Sequence, residues 1–186
     1  MSLTKEQIVE NVGKYIKTGK EKGFLTPELE ELLGNDFIVA PSSTQTKYGN
    51  AFEGGLVDHI LRVMKYAYKV NMSLDEEDKA SMDSLIKVVY LHQIGKAKLF
   101  IPKVSKWHND RGIMYDFNED ISSMRVGERS IHYCITNGVT LSEDEYIAIL
   151  NHDKTNDLQA EHHNTDLGEI LNVAIRLAIM KEKKMA

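Results

Sequence analysis

The sequence predicts an all-α fold, with room for one small β-hairpin between the fourth and fifth helices. Three observations predict it. Apolar residues recur at helical spacing along most of the 186-residue chain. Helix-start signals, a Ser or Thr followed three residues later by Gln or Glu, precede two of those stretches. Only residues 97–118 depart from the helical pattern.

Thr4 and Gln7 fit a capping box, and Ile8, Val9, Val12, Tyr15 and Ile16 then recur on one face. Gly19 and Gly23 are expected to end this helix. Thr26-Pro27 opens a short one, with Thr as N-cap, Pro in the first turn and Gly34 as its stop. Residues 35–51, rich in Ser, Thr, Asn and Gly, read as an extended loop. A third helix is expected over about 52–70 and a fourth over about 76–93. The apolar end of the fourth (Leu85, Ile86, Val88, Val89, Leu91) marks it as central. Two apolar runs flank His108-Asn109-Asp110-Arg111 and read as a hairpin or a long ordered loop. A fifth helix is expected over about 121–137, stopped by Gly138. Ser142-Glu143-Asp144-Glu145 is a second capping box, opening a helix to about Asn151. A polar loop from Asp153 to Asn164 leads to a last helix, about 166–183, whose Lys-rich end suits the helix dipole.

The bulk composition sets limits. With 42% hydrophobic residues the chain can bury a real core. We expect an N-terminal helical appendage over 1–36 and a helical domain over 37–186. The net charge of −5 argues against nucleic acid held on a broad basic surface, and leaves a local basic pocket open. The lone cysteine, Cys134, excludes an intrachain disulfide and reads as a small core residue. No apolar run approaches the ~18 residues a membrane span needs. The polar start of the chain lacks a signal-peptide core, so a cytoplasmic location is the expectation.

The chemistry rests on histidines and on one altered pair. His59 follows Gly54-Gly55 at a helix head and shares a face with Arg62. His92 ends the central apolar helix, in Leu91-His92-Gln93-Ile94-Gly95-Lys96, and His152 ends the helix opened by Ser142. Imidazoles brought in by three helices can converge on one point, as metal sites in bundles do. His132 reads as structural or exposed, and His162-His163 as surface residues of a polar loop. His108 reads as a pocket rim or a turn residue. His152-Asp153 is a helix terminus followed by a loop residue.

Five segments in order resemble a bacterial and phage branch of the HD-domain metal-dependent phosphohydrolase superfamily. Ala40-Pro41-Ser42-Ser43 through Lys47-Tyr48 and Gly54-Gly55-Leu56-Val57-Asp58-His59 resemble its Ala-Pro-Ala-Ser, Lys-Tyr-His and Gly-Gly-Leu-x-Glu-His steps. Leu91 to Lys96 resembles its His-Asp-x-x-Lys step, and Gly127-Glu128-Arg129-Ser130 its His-Gly-Glu-Lys-Ser step. Leu141 to His152 and Leu171 to Ala178 resemble the later His-bearing step and the closing helix. The likeness runs from about residue 38 to 180 and implies an HD-type helical bundle with a phosphate-ester pocket. It implies metal ligation by His59, His92 and His152.

The departures fall on the working positions. Gln93 stands for the Asp of the signature pair, Val126 for a histidine and Ile175 for a late Asp. Gly49 stands for a loop histidine. Gln offers a neutral carbonyl oxygen where a carboxylate would offset a cation, and Ile ligates nothing. A two-metal site of the usual kind is therefore not expected. The cofactor expectation is none, or one divalent metal (Zn, Mn or Fe) on the three histidines with Gln93 adding a weak oxygen.

Lys96, Lys98, Lys103, Lys106, Arg111, Arg125 and Arg129 form a basic set. Lys96 and Arg129 match positions that face phosphate in the resembled family, and a solvated basic face is the competing reading for each. For the others the solvated face is preferred. The phosphate-binding expectation is Lys96, Arg129, Gln93 and Arg62. No catalytic residue is singled out. The leading expectation is a degenerate HD-type protein that binds a nucleotide-like or phosphorylated small molecule, or a protein partner. The alternative is an active phosphohydrolase with a mononuclear three-histidine site.

Overall fold

The computed structural model describes residues 2–154 and 164–185. His162, His163 and most of the expected 153–164 loop lie outside the described residues.

The fold is mostly helical, with one two-stranded antiparallel sheet. Helix α1 spans Lys5–Glu21, and its capping box forms: the Thr4 hydroxyl accepts from Gln7 N and the Gln7 side chain accepts from Thr4 N. Gly19 does not end it. The helix runs past Gly19, whose carbonyl accepts from both Phe24 N and Leu25 N at 3.1 Å as the chain turns back. A Cβ at Gly19 would lie 2.7 Å from Leu25 Cβ, so the glycine serves that close return. Gly23, at φ +73°, makes the reversal.

Helix α2 spans Pro27–Val39 and carries a break at Gly34 (φ 47°, ψ −148°). Gly34 therefore kinks rather than closes it, and the loop expected from residue 35 begins only at Ala40. The apolar Phe37, Ile38 and Val39 supply the reason: Phe37 is core, with Ile38 packed against it. Helix α3 is Gly55–Met72 and α4 is Met82–Leu91, shorter at its start than the pattern suggests. A 3₁₀ turn, Glu76–Asp78, takes up the difference. Asn71 tethers the approach to α4: its side chain accepts from Ala80 N and donates to Ala80 O.

After α4 come a tight turn at Ile94–Lys96 and strand β1 (Phe100–Pro102). The short α5 (Lys106–Asn109) and strand β2 (Tyr115–Phe117) follow. The strands pair with Phe100 opposite Phe117 and Pro102 opposite Tyr115. This is the hairpin expected between the fourth and fifth sequence helices. Helix α6 is Val126–Thr136, shorter at its start than expected, and Gly138 lies beyond its end at φ +78°. Ser122, expected inside it, instead gives its carbonyl to the Arg129 guanidinium. Helix α7, Glu143–Asn151, starts at the expected Ser142 and Glu145 box. Helix α8 is Asp166–Lys183, with Thr165 as N-cap.

Helices α3 and α8 make the most extensive pair, and α4 and α7 complete the packing around them. Leu56, Ile60, Val63, Leu85, Leu91, Ile149 and Leu171 are fully buried there. Val12, Tyr15, Leu29 and Leu33 of α1 and α2 belong to the same core cluster, and the Tyr15 hydroxyl donates to Tyr90 O. Among the described residues no helix is long and apolar enough to cross a membrane.

Candidate functional site

The helices deliver three buried histidines to one region. His59 lies in the second turn of α3, on the apolar face formed by Leu56, Ile60 and Val63. His92 and His152 are the C-cap residues of α4 and α7. The His92 and His152 rings stand edge to face with centroids 4.9 Å apart, and those of His92 and His59 lie 6.4 Å apart. Two glycines permit this approach. A Cβ on Gly95 would sit 2.7 Å from Val126 O, and one on Gly127 would sit 2.5 Å from Ile149 O and 3.4 Å from His152 Nδ1. Ser130 joins the parts, accepting from Gly95 N and donating to His92 O.

Each imidazole is held through Nδ1. His92 Nδ1 lies 2.7 Å from Val89 O and His152 Nδ1 lies 2.7 Å from Ile149 O. A carbonyl only accepts, so both Nδ1 atoms carry the proton and both Nε2 atoms present a bare lone pair. His92 Nε2 is buried and has no partner among the described residues. His59 Nδ1 lies 2.8 Å from Glu182 Oε1. Burial pushes the His92 pKa well below the ordinary imidazole value, and the neighbouring His152 and His59 add to the effect. Burial likewise pushes His152 down to about 4, against the opposing pull of Asp153. Both rings are neutral at physiological pH.

Glu182 is the residue of this cluster that the sequence reading missed. It is 3% exposed, lies on α8, and bridges His59 to Arg62, whose Nε is 3.4 Å away. A signal was available: Glu182 follows Leu171, Ala174, Ile175 and Ala178 on the buried face of α8, where a carboxylate demands a partner. Ile175, at the expected Asp position, is simply core. Val126, in place of a histidine, opens α6.

The predicted phosphate residues fare differently. The Arg62 guanidinium is spent on Asp58 (2.7 Å) and Glu182. Gln93 is buried, and its Oε1 accepts from Lys96 Nζ at 3.0 Å. Lys96 Nζ also donates to Ser42 O at 2.7 Å. Among the described residues no carboxylate lies within salt-bridge distance of Lys96 or of the buried Arg129. Burial pulls the Lys96 ammonium down to about 8, partly offset by the more distant Glu182 and Asp153. Arg129 donates to Ser122 O, and its Nε has no partner among the described residues. Glu182 also lines a cavity of about 260 Å³, together with Asn50, Asp58, Arg62 and Met185 among others.

The donor types suit one metal ion: three imidazoles, two with a backbone carbonyl and one with a carboxylate against Nδ1. They do not suit the usual two, since Gln93 has its oxygen on an ammonium. The spacing is not that of a formed site: among the described residues no group of three His, Cys, Asp or Glu side chains is spaced to hold an ion.

No known protein family, curated protein or solved structure matches this chain.

Proposed function

We propose that this chain is a degenerate HD-type protein that binds a phosphorylated, nucleotide-like small molecule at Lys96 without the two-metal hydrolysis of the family it resembles. One observation carries the reading. The half-buried Lys96 ammonium is held by two neutral oxygens, with no carboxylate at salt-bridge distance among the described residues. An ammonium has three donors, so one N–H is unspent. Taking a cation out of water without a counter-charge costs stability, and the same desolvation pulls the Lys96 pKa down. A phosphate oxygen would supply both the missing acceptor and the missing charge. Arg129, buried and without a carboxylate partner among the described residues, faces the same turn from α6.

Lys96→Met tests this. The variant should be more stable than the parent, by roughly 2–4 °C in Tm for each kcal/mol of relieved desolvation. It should also lose the stabilisation that millimolar inorganic phosphate or AMP gives the parent in thermal shift. An unaltered ligand shift in Lys96→Met would sink the reading.

A second reading is favoured by the orphaned His92 Nε2 and by the shared Nδ1 anchoring. Here His59, His92 and His152 hold a single divalent ion, which when bound supplies a water of lowered pKa for phosphoester hydrolysis. The chain's own part is to fix three tautomers and to keep Glu182 against His59. Elemental mass spectrometry of protein purified without chelator or nickel decides it. About one Zn, Mn or Fe per chain, lost in His92→Ala, supports the ion; none bound and none taken up on titration removes it.

A further inference from the structure

The excursion between α4 and α6 does more than join them. Its exposed side chains combine aromatic rings with cations in a chain that is acidic overall. Residues 97–118 carry four Lys or Arg against two Asp, and Lys47 adds a fifth cation from the adjoining loop. Trp107 is 58% exposed, Phe117 63% and Tyr48 54%. Solvent-facing rings of this size are costly unless something covers them. Two of the three already lie against a cation. The Arg111 guanidinium stacks 3.8 Å from the Trp107 ring centroid, and Lys47 Nζ lies 4.6 Å from that of Tyr48. Among the described residues Lys47, Lys106 and Arg111 have no carboxylate partner.

The two loops form one ordered surface. Thr46 N donates to Gly112 O, while Met114 N and Tyr115 N both donate to Thr44 O. Gln45 bridges to Ile113, and a Cβ at Gly112 would overlap the Thr46 hydroxyl. Thr46, which precedes Lys47-Tyr48, is thereby held against Gly112, which follows Arg111. The same 42–46 segment reaches the pocket, because Ser42 O is the acceptor for Lys96 Nζ.

We propose that this surface is a stacking platform for a single-stranded oligonucleotide. Trp107 and Tyr48 would take base faces, and Lys47, Lys106 and Arg111 the phosphates. Exposed rings interleaved with unpaired cations match the two parts of such a ligand, π-faces and a polyanionic backbone. An acidic protein segment would satisfy the cations and leave the rings uncovered. The net charge of −5 argued against a broad basic surface, and the platform needs only a local one. The inference extends the proposed pocket ligand from a small phosphate ester to a chain of nucleotides passing toward Lys96.

The sole tryptophan of the chain is the reporter. Oligothymidylate of about twelve nucleotides, a length within the range such surfaces cover, is titrated against full-length protein. Saturable quenching of Trp107 emission, weakened by salt, is expected. By anisotropy of the labelled oligomer, Trp107→Ala should lose about tenfold in affinity or more, and Trp107→Phe should retain most of it. Arg111→Ala should weaken binding and reduce the salt slope by about one. Absence of saturable binding overturns the proposal. So does equal competition by inorganic polyphosphate with no loss in Trp107→Ala, which would mean charge alone. Binding of polyglutamate in preference to the oligomer overturns it in favour of a protein partner. Trp107→Ala should leave in place the thermal stabilisation that inorganic phosphate gives through Lys96, so failure of the platform and failure of the pocket are separate results.

Discussion

Acidification from pH 6.5 toward pH 4 is expected to strip this protein of several kcal/mol of stability before most surface carboxylates protonate. The cause is the pair of neutral imidazoles at the centre. In the folded chain burial holds His92 and His152 below their ordinary value, His152 to about 4. Unfolding returns both to about 6.5. Between those values the unfolded chain binds more protons, so stability rises with pH across the window. Their neutral burial is therefore compatible with full stability above pH 6.5, and it is lost as pH falls through the folded values. Each histidine contributes a slope of about 1.4 kcal/mol per pH unit. Urea midpoints measured from pH 7 to pH 4.5 check this. The slope should flatten by about that amount in His152→Gln, which cannot protonate. A pH-independent midpoint across that range would show that the rings are solvated or already charged.

The sequence and the structure agree where information is local. Capping boxes at Thr4 and Ser142 and the N-cap at Thr26 depend on residues three apart, and all form. His59, His92 and His152 could be named because helix ends and ordered motifs mark them. Gly19 and Gly34 were misread for a shared reason. A glycine reads as a stop, yet one admits the returning chain at Leu25 and the other bends α2 while Phe37 stays in the core. Both outcomes are set by contacts that no local pattern encodes. The hairpin was legible as a departure from helical spacing, but its register depends on pairing across α5. Arg62 illustrates the limit at the site. Its i,i+4 partner Asp58 could be seen in the sequence, whereas Glu182, which turns it from a free cation into a spent one, is 120 residues away.

Glu182→Ala follows from that long-range contact and carries the second large effect. The Glu182 carboxylate is the sole described partner of His59 Nδ1 and one of two carboxylates on the Arg62 guanidinium. Removing it leaves a buried ring nitrogen unpaired and half-buried Arg62 with Asp58 alone. Breaking a buried charged pair by deleting one partner costs about 3 kcal/mol or more, since the remaining group keeps its desolvation penalty. For a chain of this length that is roughly 6–12 °C in Tm. Glu182→Gln separates charge from shape. The amide oxygen can still accept from His59 Nδ1, so its cost should be well under half that of the alanine variant. The same pair tests the tautomer argument. With Glu182 gone, His59 loses the acceptor that fixes its proton on Nδ1, and its ring nitrogen signals in NMR should move toward a mixture of tautomers. Those of His92 and His152, held by backbone carbonyls, should stay in place. Equal stability of Glu182→Ala and the parent, or a His59 spectrum that ignores the substitution, would mean that the carboxylate neither braces α8 against α3 nor orients the first histidine of the site.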